Sequence, residues 1–194
     1  MMASMTKGHR SAAVALVHYP VLDRQGRTVM TSVTNLDIHD IARSLFTYGI
    51  ERFYVVHPNS AQRALVERIV GHWTQGSGGD RIPDRVEPLS TVRVVESLDE
   101  VLAVEGLSCE VWATTAQEHP NAISHADAKD ALKKQENNVL LCFGTGWGLA
   151  PEVMSRAKHV LAPIRSPRAD GYNHLSVRAA VSIFCDRFWG PSGG

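Results

Sequence analysis

The sequence predicts an α/β domain in which a mostly parallel sheet is covered by helices on both faces. Two observations carry this. Short apolar segments rich in β-formers alternate along the chain with amphipathic stretches of helical spacing. The length of 194 residues, with 44% hydrophobic and 21% charged residues, is enough for one sizeable core and argues against the disordered class.

The elements follow in order. "AAVALVHYPV" (12–21) is apolar and reads as a buried first strand, and "LDRQGRTVM" supplies a polar turn centred on Gly26. In "TNLDIHDIARSLFTYGI", Ile38, Ile41, Ala42, Leu45 and Phe46 recur at three-four spacing. This is an amphipathic helix, capped by Thr34, Asn35 or Asp37 and ended by Gly49. "RFYVVHP" is a second buried strand stopped by Pro58. A helix opened by Asn59 or Ser60 follows in "SAQRALVERIVGHWTQ". Residues 76–90, "GSGGDRIPDRVEPLS", read as a loop. "TVRVVES" is a strand, and "SLDEVLAVEG" a helix with Ser97 as cap and Glu100 three residues on. "EVWATTA" is a strand, residues 117–136 a polar loop leading into a helix, and "NVLLCFG" a further strand. "APEVMSRA" is a short helix, "HVLAPI" the last strand, and "HLSVRAAVSIFCDRFWG" a closing helix with Leu175, Val177, Ala180, Val181 and Phe184 on one side.

Lys plus Arg number 20, as do Asp plus Glu, so the net charge is zero. A protein that coats nucleic acid would be more basic, and any RNA must be gripped by a local patch. Cys109, Cys142 and Cys185 have neither CxxC nor His/Cys ligand spacing, which indicates free thiols in a reducing cytosol. No apolar segment approaches the ~20 residues needed to span a bilayer, so a cytoplasmic location is expected.

Ligands of parallel sheets gather beyond the carboxyl ends of the strands, here after Val56, Trp112, Phe143 and Ile164. "FGTGWGL" follows a strand, and its glycines let backbone approach a ligand. The Rossmann fingerprint fails, because the third glycine comes two rather than three positions after Gly146, and no Walker lysine is present. A plain tight turn is the competing reading. Thr114 and Thr115 either bind a ligand or cap the next segment. In 161–180, a proline-containing loop with Arg165 and Arg168 leads to a helix whose first turn carries Asn173, His174 and Ser176. The arginines are equally readable as exposed ion pairs, and His174 as a cap-region group. Asp37, Asp40 and Arg43 share one helix face. They serve either helix dipole and local pairing with Asp40 or Glu51, or a substrate steadied by Arg43 beside a carboxylate that accepts a proton.

Taken together, "HYPVLDRQG", "TNLDIHDIARSLFTYGIERFYVVHP", "GHW", "FGTGWGL" and "YNHLSVRAAVSI" resemble the SPOUT superfamily of RNA methyltransferases, in particular its bacterial single-domain branch. The resemblance implies a single domain over 12–190 after a disordered tail at 1–11. It implies a C-terminal deep trefoil knot, S-adenosylmethionine as cofactor, an RNA substrate (tRNA or rRNA), a homodimer, and no metal or membrane. By the same resemblance Thr114 and Thr115 lie in the first knot loop. Gly144, Thr145, Gly146, Gly148 and Leu149 form the second, and Leu161, Ile164, Asn173, Leu175 and Ser176 the third, together holding the cofactor. Arg43, Asp37 and His174 become the catalytic candidates. Asp37 stands where the superfamily has asparagine, and His174 takes the other expected asparagine position with Asn173 beside it. Trp147 is expected to pack under the knot. Two rival readings are a Rossmann-like oxidoreductase that binds a nicotinamide nucleotide and a non-catalytic protein that binds S-adenosylmethionine or RNA.

Overall fold

A computed structural model describes residues 12–191, so the expected tail at 1–11 lies outside the described residues. The chain begins with β1 (Ala12–Val17), then a small hairpin of β2 (Val21–Leu22) and β3 (Thr28–Val29). Next come α1 (Asn35–Thr47), β4 (Phe53–Val56) and α2 (Ser60–Thr74). Two short helices, α3 (Ser77–Arg81) and α4 (Val86–Ser90), lead to β5 (Val92–Val95) and α5 (Leu98–Glu105). They are followed by β6 (Glu110–Thr114), β7 (Ala122–Ile123), α6 (His125–Lys134) and β8 (Val139–Gly144). The chain closes with α7 (Pro151–Met154), β9 (His159–Leu161) and α8 (Val177–Trp189).

The seven strands of the main sheet are all parallel, in the order β5-β4-β1-β8-β6-β9-β7. Alternation along β1 sends Val14 and Leu16 to one face and Ala13, Ala15 and Val17 to the other, and every one is buried. The first face is covered by α1, α2, α4, α6 and α8 through residues such as Ile41, Val66, Leu89, Leu132 and Phe184. The second is covered by α5 and α7 through Leu98, Val101 and Val153. Burying a side chain like Leu16 or Ile41 contributes about 1.5–3 kcal/mol, and the two-faced sheet collects that gain along each central strand.

Helix starts follow the cap chemistry. The Thr34 hydroxyl accepts the Asp37 amide at 3.2 Å, the Asn59 side chain accepts from Ala61 and Gln62, and Ser97 accepts from Glu100.

Three local expectations change. Residues 76–90 are largely helical rather than a loop. Leu89 is fully buried in the core, and that anchor outweighs the glycines and prolines that argue for irregular backbone. Within 117–136, residues 122–123 form β7, which extends the sheet beyond β9 and is too short to announce itself by periodicity. The last helix starts at Val177, because Ser176 is its cap and accepts the Ala179 amide at 3.3 Å. Asn173 and His174 therefore sit in the preceding loop rather than the first turn. No helix among the described residues is long and apolar enough to cross a membrane.

Candidate functional site

A cavity of about 630 Å³ lies beyond the carboxyl ends of β6 and β8 and beside the start of α8. Four separate segments line it: Thr31, Ser32, Thr34 and Asp37 before and within α1, residues 114–117 after β6, residues 143–148 after β8, and Ile164 with residues 173–178 before and within α8. Phe143 and Phe184, edge to face at 5.5 Å, add apolar wall.

The glycine turn is a rigid wall. Its backbone is tied to the β2–β3 hairpin: the Trp147 amide donates to the Leu22 carbonyl at 2.9 Å, and the Leu22 amide donates to the Gly148 carbonyl at the same distance. The Thr145 amide donates to the Val17 carbonyl. A Cβ on Gly144 would stand 2.6 Å from the Leu149 nitrogen. One on Gly146, where φ is +60°, would stand 2.8 Å from the Leu22 oxygen. Glycine is thus required at both positions for the turn to pack on its own neighbours. Trp147 is not packed beneath this turn, as the sequence had suggested. It is 47% exposed, lines the cavity, and meets His174 edge to face at 6.2 Å.

Most of the residues assigned by resemblance do converge. Thr114 and Thr115 line the cavity, yet the Thr114 hydroxyl donates to the Cys142 carbonyl at 2.9 Å and Thr115 Oγ1 accepts the Gln117 amide at 3.1 Å. Gly144, Thr145, Gly146, Gly148, Ile164, Asn173, Leu175 and Ser176 also line it. Asn173 Nδ2 donates to the Ile164 carbonyl at 2.8 Å and so clips the loop before α8 to itself. Leu149 and Leu161 have side chains buried in the two cores and are not among the lining residues.

The catalytic candidates separate. Asp37 lines the cavity, but both its oxygens are taken: Oδ2 accepts the Thr34 hydroxyl at 2.6 Å and Oδ1 accepts Arg178 Nη1 at 3.1 Å. Arg178 also reaches Asp40, at 3.4 Å. His174 stands exposed at the cavity with no hydrogen-bond partner among the described residues. Arg43 lies outside the cavity. It lines a wide groove of about 550 Å³ between α1 and α8, together with Asp40, Ser44, Tyr48 and Ser182, and its guanidinium pairs with neither Asp40 nor Glu51. Ser176 and Arg178 line both spaces.

Arg178 and Thr31 escaped the sequence reading, and Phe184 was read there only as part of the apolar face of the closing helix. Arg178 was signalled only by lying two residues after the capping serine, and its partner Asp37 is 141 positions away. Thr31 links the cavity to the neighbouring strands. Its hydroxyl contacts that of Thr145 and lies 3.0 Å from His18 Nδ1. His18 is fully buried, and burial followed by the nearby His57 pushes its pKa down to about 4. The two imidazoles stack at 5.6 Å, and His57 Nε2 donates to the Thr31 carbonyl at 3.0 Å, since its Nδ1 accepts the Asn59 amide.

The cavity suits a small molecule with a flat apolar part and a polar part. Its volume is typical of such sites, with Phe143, Ile164, Leu175 and Phe184 on one hand and hydroxyls and the Asn173 amide on the other.

Residues 11–190 match a family model described as SAM-dependent RNA methyltransferase. A tRNA (guanine-N(1)-)-methyltransferase of Nitratidesulfovibrio vulgaris is 43% identical over 191 residues, covering 96% of this chain and 44% of that protein. The chain thus spans less than half the length of that relative. A protein of Aquifex aeolicus is 36% identical over 182 residues, covering 91% of this chain and 87% of its own. Among solved structures, TrmJ from Z. mobilis superposes with a TM-score of 0.64 at 19% identity, covering 93% of this chain and 69% of that one. The A. aeolicus TrmH/SpoU tRNA modifying enzyme gives 0.58 at 12% identity, covering 92% and 74%. These likenesses establish a SPOUT-type α/β fold.

Proposed function

The chain belongs to the family of S-adenosylmethionine-dependent RNA methyltransferases, and from that premise we propose that the cavity beyond β6 and β8 holds the cofactor and that the protein methylates tRNA in the cytoplasm. The observation that best supports the site is the convergence of four distant segments on one cavity whose walls divide into apolar and hydroxyl-bearing parts. The tRNA reading draws on the names of the N. vulgaris relative and the A. aeolicus neighbour. The guanine-N1 specificity named for that relative belongs to a chain more than twice as long and is not carried over. In keeping with the SPOUT class, the segment from β8 to α8 is read as a trefoil knot.

When bound, S-adenosylmethionine supplies an electrophilic methyl group on a sulfonium centre. The chain's own task is alignment and proton removal. The turn at 144–148 provides a fixed wall against which the cofactor rests, and Asn173 holds the loop that closes the opposite side. His174, unpartnered and at the cavity, accepts the proton lost by the nucleophile. Asp37, with both oxygens engaged, positions Arg178, whose guanidinium then faces the cavity as a phosphate contact. Arg43 faces the open groove rather than its own cavity, which fits a homodimer in which Arg43 of the partner subunit orients the RNA.

Calorimetry of the purified protein with S-adenosylmethionine and with NAD tests the site. Labelled methyl transfer into total tRNA from a strain lacking the protein tests the reaction. Binding of NAD in place of S-adenosylmethionine sinks the proposal. Cofactor binding without transfer leaves only a binding protein. Arg43→Ala should cut single-turnover methylation at least tenfold while leaving cofactor affinity unchanged.

A further inference from the structure

Three rings stand in a row at the edge of the cavity: Trp147 and His174 line it, and Tyr172 adjoins His174 outside the lining. His174 lies between Trp147, edge to face at 6.2 Å, and Tyr172, edge to face at 5.2 Å. Trp147 is 47% exposed and Tyr172 60% exposed. The other tryptophans with described environments are used differently. Trp112 is fully buried, Trp73 lies under the Arg85 guanidinium and against the core, and Trp189 packs against the same core beside Phe188. Large exposed rings grouped at a cavity entrance call for an explanation, because they forgo the burial that normally rewards an aromatic side chain. Edge-to-face contacts leave ring faces open. The backbone that displays them is held: Trp147 by the Leu22 hydrogen bonds, and Tyr172 by its amide donating to Asp170 Oδ1 at 3.1 Å and by the Asn173 clip next to it.

Resting on the reading of the cavity as a methyl-donor site for RNA, we propose that Trp147 and Tyr172 form a stacking platform for the unpaired base of the target nucleotide, with His174 between them. Bases turned out of an RNA strand are recognised by stacking on such rings, and every base offers a π-face to them. The placement of His174 between the rings puts the proposed proton acceptor beside the stacked base. The net charge of zero gives this platform more weight, since an even electrostatic grip on RNA is absent.

The test compares the wild-type chain with Trp147→Leu, Tyr172→Leu and Trp147→Phe. It measures cofactor affinity by calorimetry, total tRNA affinity by filter retention, and folding by thermal melting. Each leucine variant should weaken tRNA binding about tenfold and melt like wild type, and Tyr172→Leu, whose side chain is outside the cavity lining, should keep the cofactor dissociation constant within about twofold. Trp147→Phe should restore most of the tRNA affinity, which a merely structural role would not predict. The proposal is overturned if both leucine variants bind tRNA as wild type does, or if the loss in Tyr172→Leu appears in cofactor affinity instead. Failure of the wild-type chain to bind S-adenosylmethionine sinks the earlier reading, and failure to bind tRNA sinks both.

Discussion

The carboxyl edge of the sheet has two halves built to opposite ends. Beyond β1 and β4, His18 and His57 stack with Thr31 between them and fill the space, leaving His18 Nε2 buried and unpartnered among the described residues. Beyond β8 and β6, glycines and threonines stand at the corresponding positions and the space stays open at about 630 Å³. Strand sequence hardly differs between the halves, since Leu16, Val55, Leu141 and Trp112 are all fully buried. What differs is the few residues after each strand. Site and plug are decided by loop chemistry on a common scaffold.

The sharpest way to break the contrast is to fill the open half. Gly144→Ala drives a Cβ to 2.6 Å from backbone nitrogen that cannot swing away. It should cost roughly 3–4 kcal/mol of stability in denaturant unfolding and abolish cofactor binding in calorimetry. Retained binding would show that the turn is not the wall of the cofactor site.

The closed half is best probed by pH. His18 is held neutral with its pKa at about 4 against the usual 6.5, mainly by burial. Between those values the unfolded chain takes up a proton that the folded chain refuses. Stability is therefore complete above about pH 6.5 and falls as the pH drops toward 4. The loss attributable to His18 is on the order of 3 kcal/mol. Burial lowers His57, His39 and His125 as well, which adds loss in the same direction. Unfolding curves at stepped pH should show this limb, and His18→Asn should flatten it.

Thr31 joins the halves through contacts to His18 and Thr145. Thr31→Val keeps the shape and removes the hydroxyl, so it should cost about 1–2 kcal/mol and weaken cofactor binding less than Gly144→Ala does. The smallest effect belongs to the exposed loop pair Arg165–Glu118, 2.6 Å apart. Arg165→Ala should move the melting temperature by less than about 2 °C.

Much of the scaffold was legible before any coordinates. Apolar runs such as "NVLLCFG" could only be buried strands, Ser97 announced its helix by cap chemistry, and Thr34 and Asn59 are the caps among the candidates at their helix starts. The motifs around "FGTGWGL" and "YNHLSVRAAVSI" carried the family, which the match over residues 11–190 bears out. Less legible were features whose cause lies far along the chain. Residues 76–90 become helical because Leu89 finds the core, and β7 exists because β9 offers it an edge. Neither has a local signal strong enough to override glycine, proline and polar composition.

By itself the sequence determined the main alternation of strands and helices, the two-faced core of the central strands and the family, because these depend on periodicity and short motifs read within a few residues. The tertiary structure alone decided that Asp37 would be locked to Arg178, that Arg43 would face the groove outside the cavity, and that Trp147 would stand at its mouth. Those outcomes depend on which loops meet across the sheet. Contacts between residues more than a hundred positions apart are set by topology and packing, not by any spacing along the chain.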